Sequence, residues 1–170
     1  ELAGLLSKTW QFAAHQAELP EPGSYVCCEI GGEELFCLRG DDGAIRAFYN
    51  VCQHRGHELV KGRGKVRKLV CPYHGWAYEL SGEMRSGPNI DVVPGFDRNQ
   101  IHLAEARAED FHGFIFVNLD PDAAPMDEWF PGVREELGAY VPQLAELAPL
   151  RWVNVEENCN WKVSVENYSE

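Results

Sequence analysis

The segment Cys52-Gln53-His54-Arg55-Gly56-His57 is answered, sixteen residues after His54, by Cys71-Pro72-Tyr73-His74-Gly75-Trp76. Each segment offers one thiol and one imidazole within four positions, and each follows a short β-type run, residues 44–50 before the first and 68–71 before the second. A loop leaving a strand gathers its side chains in one place. Two such loops facing each other bring Cys52, His54, Cys71 and His74 together as a metal-binding set.

Two kinds of centre take that set. A single zinc ion accepts two thiolates and two imidazoles tetrahedrally. A [2Fe–2S] cluster of mixed ligation takes two thiolates on one iron and two imidazoles on the other. Only one residue separates Cys52 from His54, tighter than the usual zinc-finger spacings, which favours the cluster. Gly56 and Gly75 favour it as well, because a residue without Cβ lets backbone N–H groups approach cluster sulfurs. Tyr73 and Trp76 stand where rings would keep water away and tune the potential through the local dielectric.

Around these loops the chain reads as short strands. Runs at 24–30, 34–39 and 44–50 are separated by Gly31-Gly32 and by Asp41-Asp42-Gly43, both hairpin signals. Further runs fall at 76–80, 103–109 and 114–119, so a small antiparallel sandwich or barrel is expected. Residues 2–15 have a helical pattern carried by Leu2, Leu5, Leu6, Trp10 and Phe12, ended by Pro20, Pro22 and Gly23. After Asn118 the character changes. Pro121 and Pro125 make a linker, and Asp127 is placed to cap a helix over 128–140 that Trp129, Phe130 and Tyr140 would anchor. Beyond Pro142 and Pro149, residues 151–157 alternate like a strand and 160–170 read as a helix opening, within which the chain stops. Glu1, in place of an initiator methionine, reads as a trimmed edge. Cys27, Cys28, Cys37 and Cys159 lack framework spacing and are expected as buried free thiols in a reducing compartment.

The two loops resemble the ligand motif of Rieske non-haem iron oxygenases. The resemblance implies that Cys52 and Cys71 bind one iron and that His54 and His74 bind the other through Nδ1. Respiratory Rieske proteins carry an extra cysteine in each loop, joined as a disulfide; His57 and Tyr73 stand there instead. Asn160-Trp161-Lys162 and Glu166-Asn167-Tyr168-Ser169-Glu170 are similar to the opening of the catalytic domain of the oxygenase large subunits. The resemblance places Glu170 as a bridging carboxylate linking a cluster histidine to an iron-ligand histidine across a subunit interface. Glutamate there resembles the branch acting on quaternary ammonium compounds such as betaine, choline or carnitine.

The implied fold is α+β: an antiparallel β Rieske domain at 22–122 after a helical lead-in at 1–21, a linker helix region at 123–148, and at 149–170 the first elements of a helix-grasp-like catalytic domain. The implied function is a terminal oxygenase component that hydroxylates with O₂, and so demethylates, a small quaternary ammonium substrate. Its electrons would come from an NAD(P)H-dependent reductase or ferredoxin. A mononuclear ferrous iron, bound beyond residue 170, and a homotrimer complete the expectation. The alternatives are an aromatic-ring dioxygenase and a Rieske-type electron carrier.

A net charge of −12 excludes nucleic acid as an expected partner. No apolar run reaches membrane-spanning length and no targeting pattern is present, so the cytoplasm is the expected location. Against that acidity, Arg55, Lys61, Arg63, Lys65, Arg67 and Lys68 face one acid, Glu58. They form a candidate docking patch for an acidic reductase, or a solvated hairpin tip. His15, His57, His102 and His112 have no ligand spacing and are expected to be structural.

Overall fold

The computed structural model describes residues 2–153 and 155–169. A short π-type helical turn, Leu2–Leu6, opens the chain. The residues expected to continue it form a strand instead, β1 (Gln11–His15). Exposure explains the correction: Trp10 is 8% exposed, Phe12 43% and Ala14 1%, the alternation of a strand with one face inward.

Gly31 (φ 62°) and Gly32 (φ 85°) both lie in the left-handed region, as a two-residue primed turn requires. They join β2 (Ser24–Ile30) to β3 (Glu33–Arg39), with Ile30 opposite Glu33. Strand β4 (Ile45–Tyr49) pairs with β3 on its other side, and β5 (Arg63–Lys65) pairs with β2. A separate three-stranded sheet is built from β6 (Leu69–Val70), β7 (Ala77–Tyr78) and β8 (Met84–Ser86). β9 (Glu105–Phe111) and β10 (Phe114–Asn118) form the last hairpin, through His112 and Gly113. The larger sheet is antiparallel with order β1-β10-β9-β4-β3-β2-β5.

β3 is buried on both faces. Leu35 and Cys37 enter one core with Ala47 and Ile115. Phe36 and Leu38 enter the other with Phe48, Leu69 and Tyr78. Full burial of such an apolar side chain stabilises the fold by about 1.5–3 kcal/mol. The second core also holds Cys52 and Cys71, so the ligand loops and the small sheet rest on the Phe36–Leu38 face.

The expected linker helix over 128–140 is two helices, α1 (Met126–Trp129) and α2 (Val133–Tyr140). Pro131 lies between them, and a proline lacks the N–H and crowds the preceding turn. Asp127 is not the cap. Pro125 holds that position, while Asp127 sits in the first turn and pairs with Arg134 at 2.8 Å. The anchor is Met126, packed with Trp10 and Phe111, whereas Trp129, Phe130 and Tyr140 are exposed.

Residues 151–157 form no strand among the described residues; Trp152 instead packs against Phe12 at 5.8 Å and donates to Glu18 Oε1 at 3.1 Å. α3 (Trp161–Ser169) stands where a helix was expected. Cys37 is buried as expected, Cys27 and Cys28 are half-buried, and Cys159 is exposed. No helix among the described residues is long and apolar enough to cross a membrane.

Candidate metal centre

Residues 52–57 and 71–76 close with the same backbone bonds. In the first loop Cys52 N–H donates to the carbonyl of His57 at 2.9 Å, and Gly56 N–H to that of Cys52 at 2.9 Å. In the second, Cys71 N–H donates to Trp76 at 2.8 Å and Gly75 N–H to Cys71 at 3.0 Å. Each glycine follows its cysteine by four residues and adopts a positive φ, 70° at Gly56 and 72° at Gly75. A residue with a Cβ pays a penalty there. The first loop leaves β4, and the second connects β6 to β7.

The donors meet in pairs. Cys52 and Cys71 are buried and their thiols are in hydrogen-bond contact. The rings of His54 and His74 lie 4.7 Å apart, edge to face. Among the described residues, no three His, Cys, Asp or Glu side chains converge on a single ion-sized point; sulfur with sulfur and imidazole with imidazole is the division a mixed-ligand two-iron cluster takes. His54 Nδ1 is buried without a hydrogen-bond partner. A buried polar atom left so is costly unless something binds it, and Nδ1 is the atom the motif offers to iron. The residues present therefore fit the cluster.

Their surroundings come from residues the sequence alone did not single out. Tyr78, fully buried, has its hydroxyl 3.2 Å from Cys52 Sγ while accepting from Gln53 N–H at 3.1 Å. Burial raises the Cys52 thiol above its ordinary pKa, and the Tyr78 hydroxyl opposes that rise. Asn50, also buried, accepts from the N–H groups of Leu59 and Val60 and donates to the Val60 carbonyl at 2.8 Å. It ties the strand end before Cys52 to the chain leaving the loop. Desolvation, then His54, Arg55 and His57, hold the His74 imidazole below its usual range.

Of the two rings expected to shield the site, Trp76 does so, stacked on His54 at 4.6 Å and 12°. Tyr73 is 57% exposed, its ring against His74 at 3.7 Å. A Cβ on Gly87 would come within 2.7 Å of the Trp76 ring, so the absence of a side chain there sets the indole. Phe96 meets the indole edge-on at 5.9 Å. Beside His54, His74 and Trp76 opens an apolar cavity of about 470 Å³, walled by Pro88, Ile90, Val93 and Phe96.

The remaining histidines bond to backbone. His57 Nδ1 lies 2.6 Å from the Glu58 carbonyl, His102 Nε2 3.0 Å from that of Asn99, and His112 Nε2 2.8 Å from that of Arg134. His15 Nδ1 accepts from Ala17 N–H at 3.2 Å. The basic patch divides. Lys61 pairs with Glu58 at 3.1 Å, Arg63 with Glu18 at 3.1 Å and Lys65 with Glu21 at 2.7 Å, while Arg55, Arg67 and Lys68 meet no carboxylate among the described residues. Glu170, the expected bridging carboxylate, lies outside the described residues.

Comparison with known proteins agrees with this site. The Rieske [2Fe-2S] domain family matches residues 9–97. The carnitine monooxygenase oxygenase subunit of Acinetobacter baumannii is 37% identical over 171 residues, covering 100% of this chain and 46% of the relative; the chain thus spans about half that protein's length. The crystal structure of the quaternary ammonium Rieske monooxygenase CntA with its substrate L-carnitine has TM-score 0.92 at 37% identity, over 99% of this chain and 48% of the other. A naphthalene 1,2-dioxygenase with indole bound has TM-score 0.71 at 37% identity, over 78% of this chain and 31% of the other. Two matched loops, a two-and-two division of donors and the family match across both loops lead to one statement: this chain belongs to the Rieske [2Fe–2S] domain family.

Proposed function

We propose that this chain is the electron-receiving part of a terminal oxygenase component that hydroxylates a quaternary ammonium compound at an N-methyl group. The observation that carries the reading is how far one likeness extends. Similarity to the carnitine-bound monooxygenase runs through the sheets and on across α1, α2 and α3, whereas similarity to the aromatic dioxygenase stops short of the full chain.

In this reading Cys52 and Cys71 hold one iron, and His54 and His74 hold the other through Nδ1. Bound there, the cluster supplies a one-electron relay. The chain's own residues set its surroundings: the Trp76 indole covers His54, and Tyr78 directs its hydroxyl at Cys52 Sγ. The assignment of residues 22–122 to the cluster domain, 123–148 to a linker and 149–170 to the opening of a catalytic domain belongs to the same proposal. So do a homotrimer in the cytoplasm, a reductase or ferredoxin drawing on NAD(P)H, and Glu170 as the bridging carboxylate. The mononuclear ferrous iron would be held by residues outside this chain, in the open two-histidine, one-carboxylate arrangement suited to O₂.

The chemistry balances as follows. One oxygen atom of O₂ enters the N-methyl C–H bond and the other leaves as water, with two electrons from NAD(P)H. The resulting carbinolamine releases formaldehyde and a tertiary amine. The test is aerobic turnover of the full-length protein with reductase and NAD(P)H, offering betaine-type and aromatic substrates in turn. Formaldehyde in step with O₂ uptake is expected from the quaternary ammonium substrates alone. Oxygen uptake with the aromatic substrate, and no formaldehyde from the others, would replace this reading with a ring dioxygenase.

A further inference from the structure

We infer that the exposed cations Arg55, Arg67 and Lys68, set around Val51, Val70 and Tyr73, form the docking surface for an acidic electron-donor protein. The inference rests on the electron-receiving role proposed above and names the partner chemistry of that site.

The argument begins from charge. The chain carries −12 overall, yet six of its cations fall between residues 55 and 68 against one acid. The fold then sorts them. Lys61, Arg63 and Lys65 are neutralised by Glu58, Glu18 and Glu21. Arg55, Arg67 and Lys68 are exposed and meet no carboxylate among the described residues. Arg55 lies within the first loop, next to His54. Arg67 and Lys68 lead into β6, directly before the second loop. The uncompensated charge thus sits at the two chain segments that carry the metal-binding side chains, while the compensated charge sits on edge strand β5 and the turn before it.

Exposed apolar residues lie in the same segments. Val51 precedes Cys52, Val70 precedes Cys71 and Tyr73 precedes His74, and they are 40%, 50% and 57% exposed. Apolar contacts rimmed by like charge are the composition of a transient interface whose partner is steered electrostatically. A partner presenting carboxylates fits, and one presenting lysines is repelled. The transfer itself is a single electron: the donor is oxidised by one electron, the acceptor centre is reduced by one, and no bond breaks.

The experiment compares two triple variants of the cluster-loaded full-length protein, Arg55→Gln/Arg67→Gln/Lys68→Gln and Lys61→Gln/Arg63→Gln/Lys65→Gln. Both remove three charges, so a general field effect would act on them alike. The probe is an oxidised acidic plant-type [2Fe–2S] ferredoxin, with affinity measured by calorimetry. The first triple should weaken binding about tenfold at ~0.01 M ionic strength, where the Debye length is about 30 Å, and the second by less than about twofold. The difference should close near ~1 M salt, where that length is about 3 Å. The double variant Arg67→Gln/Lys68→Gln leaves the residue beside His54 untouched and should retain most of the loss. Basic ferricytochrome c should show no weakening in any variant.

Equal affinities for the two triples would overturn the docking surface. So would a change of oligomeric state confined to the first triple, which would assign the patch to a second copy of this chain. Visible cluster absorbance is read separately. Its absence from the wild-type protein would sink the electron-receiving role itself, whereas its presence with equal affinities would sink the docking surface alone.

Discussion

Residues 52–57 and 71–76 share a hydrogen-bond frame yet carry their imidazoles at different steps of it. In both, the glycine comes four residues after the cysteine and the closing carbonyl five residues after. His54 stands two residues after its cysteine and His74 three after. The frame is therefore made by the backbone, and the ligands are mounted on it. The neighbours then differ. His54 lies under Trp76 with Nδ1 buried, and Cys52 has the Tyr78 hydroxyl beside it. His74 is half-buried against the exposed ring of Tyr73. One loop is wrapped by the core, while the other borders solvent.

The largest expected effect breaks both loops in the same way. His54→Ala and His74→Ala should each abolish the visible absorbance of the cluster, because two imidazoles are needed on one iron. The far-UV circular dichroism should persist in both, since the backbone frame and the Phe36–Leu38 floor do not use the imidazoles. If either variant kept a full complement of iron and acid-labile sulfide, the proposed division of ligands would be wrong. If either lost its sheet signal, the frame would depend on the metal and not on the backbone.

What was legible beforehand follows the same line. The four donors and the Gly31-Gly32 turn are local patterns, and each was readable from a few adjacent residues. Tyr78 and Asn50 were not. Tyr78 meets Cys52 across 26 positions of sequence, and nothing local marks a core tyrosine as a sulfur's neighbour. β1 was hidden for a similar reason. The leucines of 2–6 supply a helical pattern, but the strand owes its place to pairing with β10, about a hundred residues on. The ion pairs of Arg63 and Lys65 with Glu18 and Glu21 are also distant in sequence, so the patch looked uniform until the fold divided it. The break in the linker helix is different, because Pro131 announced it and the apolar periodicity on either side masked it.

A smaller effect sharpens the comparison. Gly56→Ala and Gly75→Ala place a Cβ at nearly equal positive φ, where the penalty is about 1–2 kcal/mol. At Gly56 the new atom meets nothing within 4 Å, and at Gly75 it meets the Pro88 ring at 3.7 Å, an ordinary contact. Backbone strain alone should set the cost. The two variants should lose similar stability, a fall in Tm of roughly 2–8 °C for a chain of this size, measured by thermal melts of the apo-protein. A large difference between them would mean that the shared hydrogen bonds do not make the loops energetically equivalent.

The smallest effect tests the asymmetry itself. Tyr78→Phe removes the hydroxyl beside Cys52 and leaves the second loop unchanged. Desolvation by burial holds that hydroxyl far above the ordinary tyrosine pKa, so it stays a proton donor throughout the working range. A donor at a ligand sulfur favours the reduced, more negative cluster, so its loss should lower the midpoint potential. A net hydrogen bond of about 0.5–1.5 kcal/mol corresponds to roughly 20–65 mV for one electron. Potentiometric titration against the wild type measures the shift. Because Gln53 is exposed, its N–H is expected to find water in place of the lost partner, so the potential and not the stability carries the readout. An unchanged or raised potential would mean that the contact at 3.2 Å packs against the sulfur without donating to it, and the two loops would then be electrically alike despite their different burial.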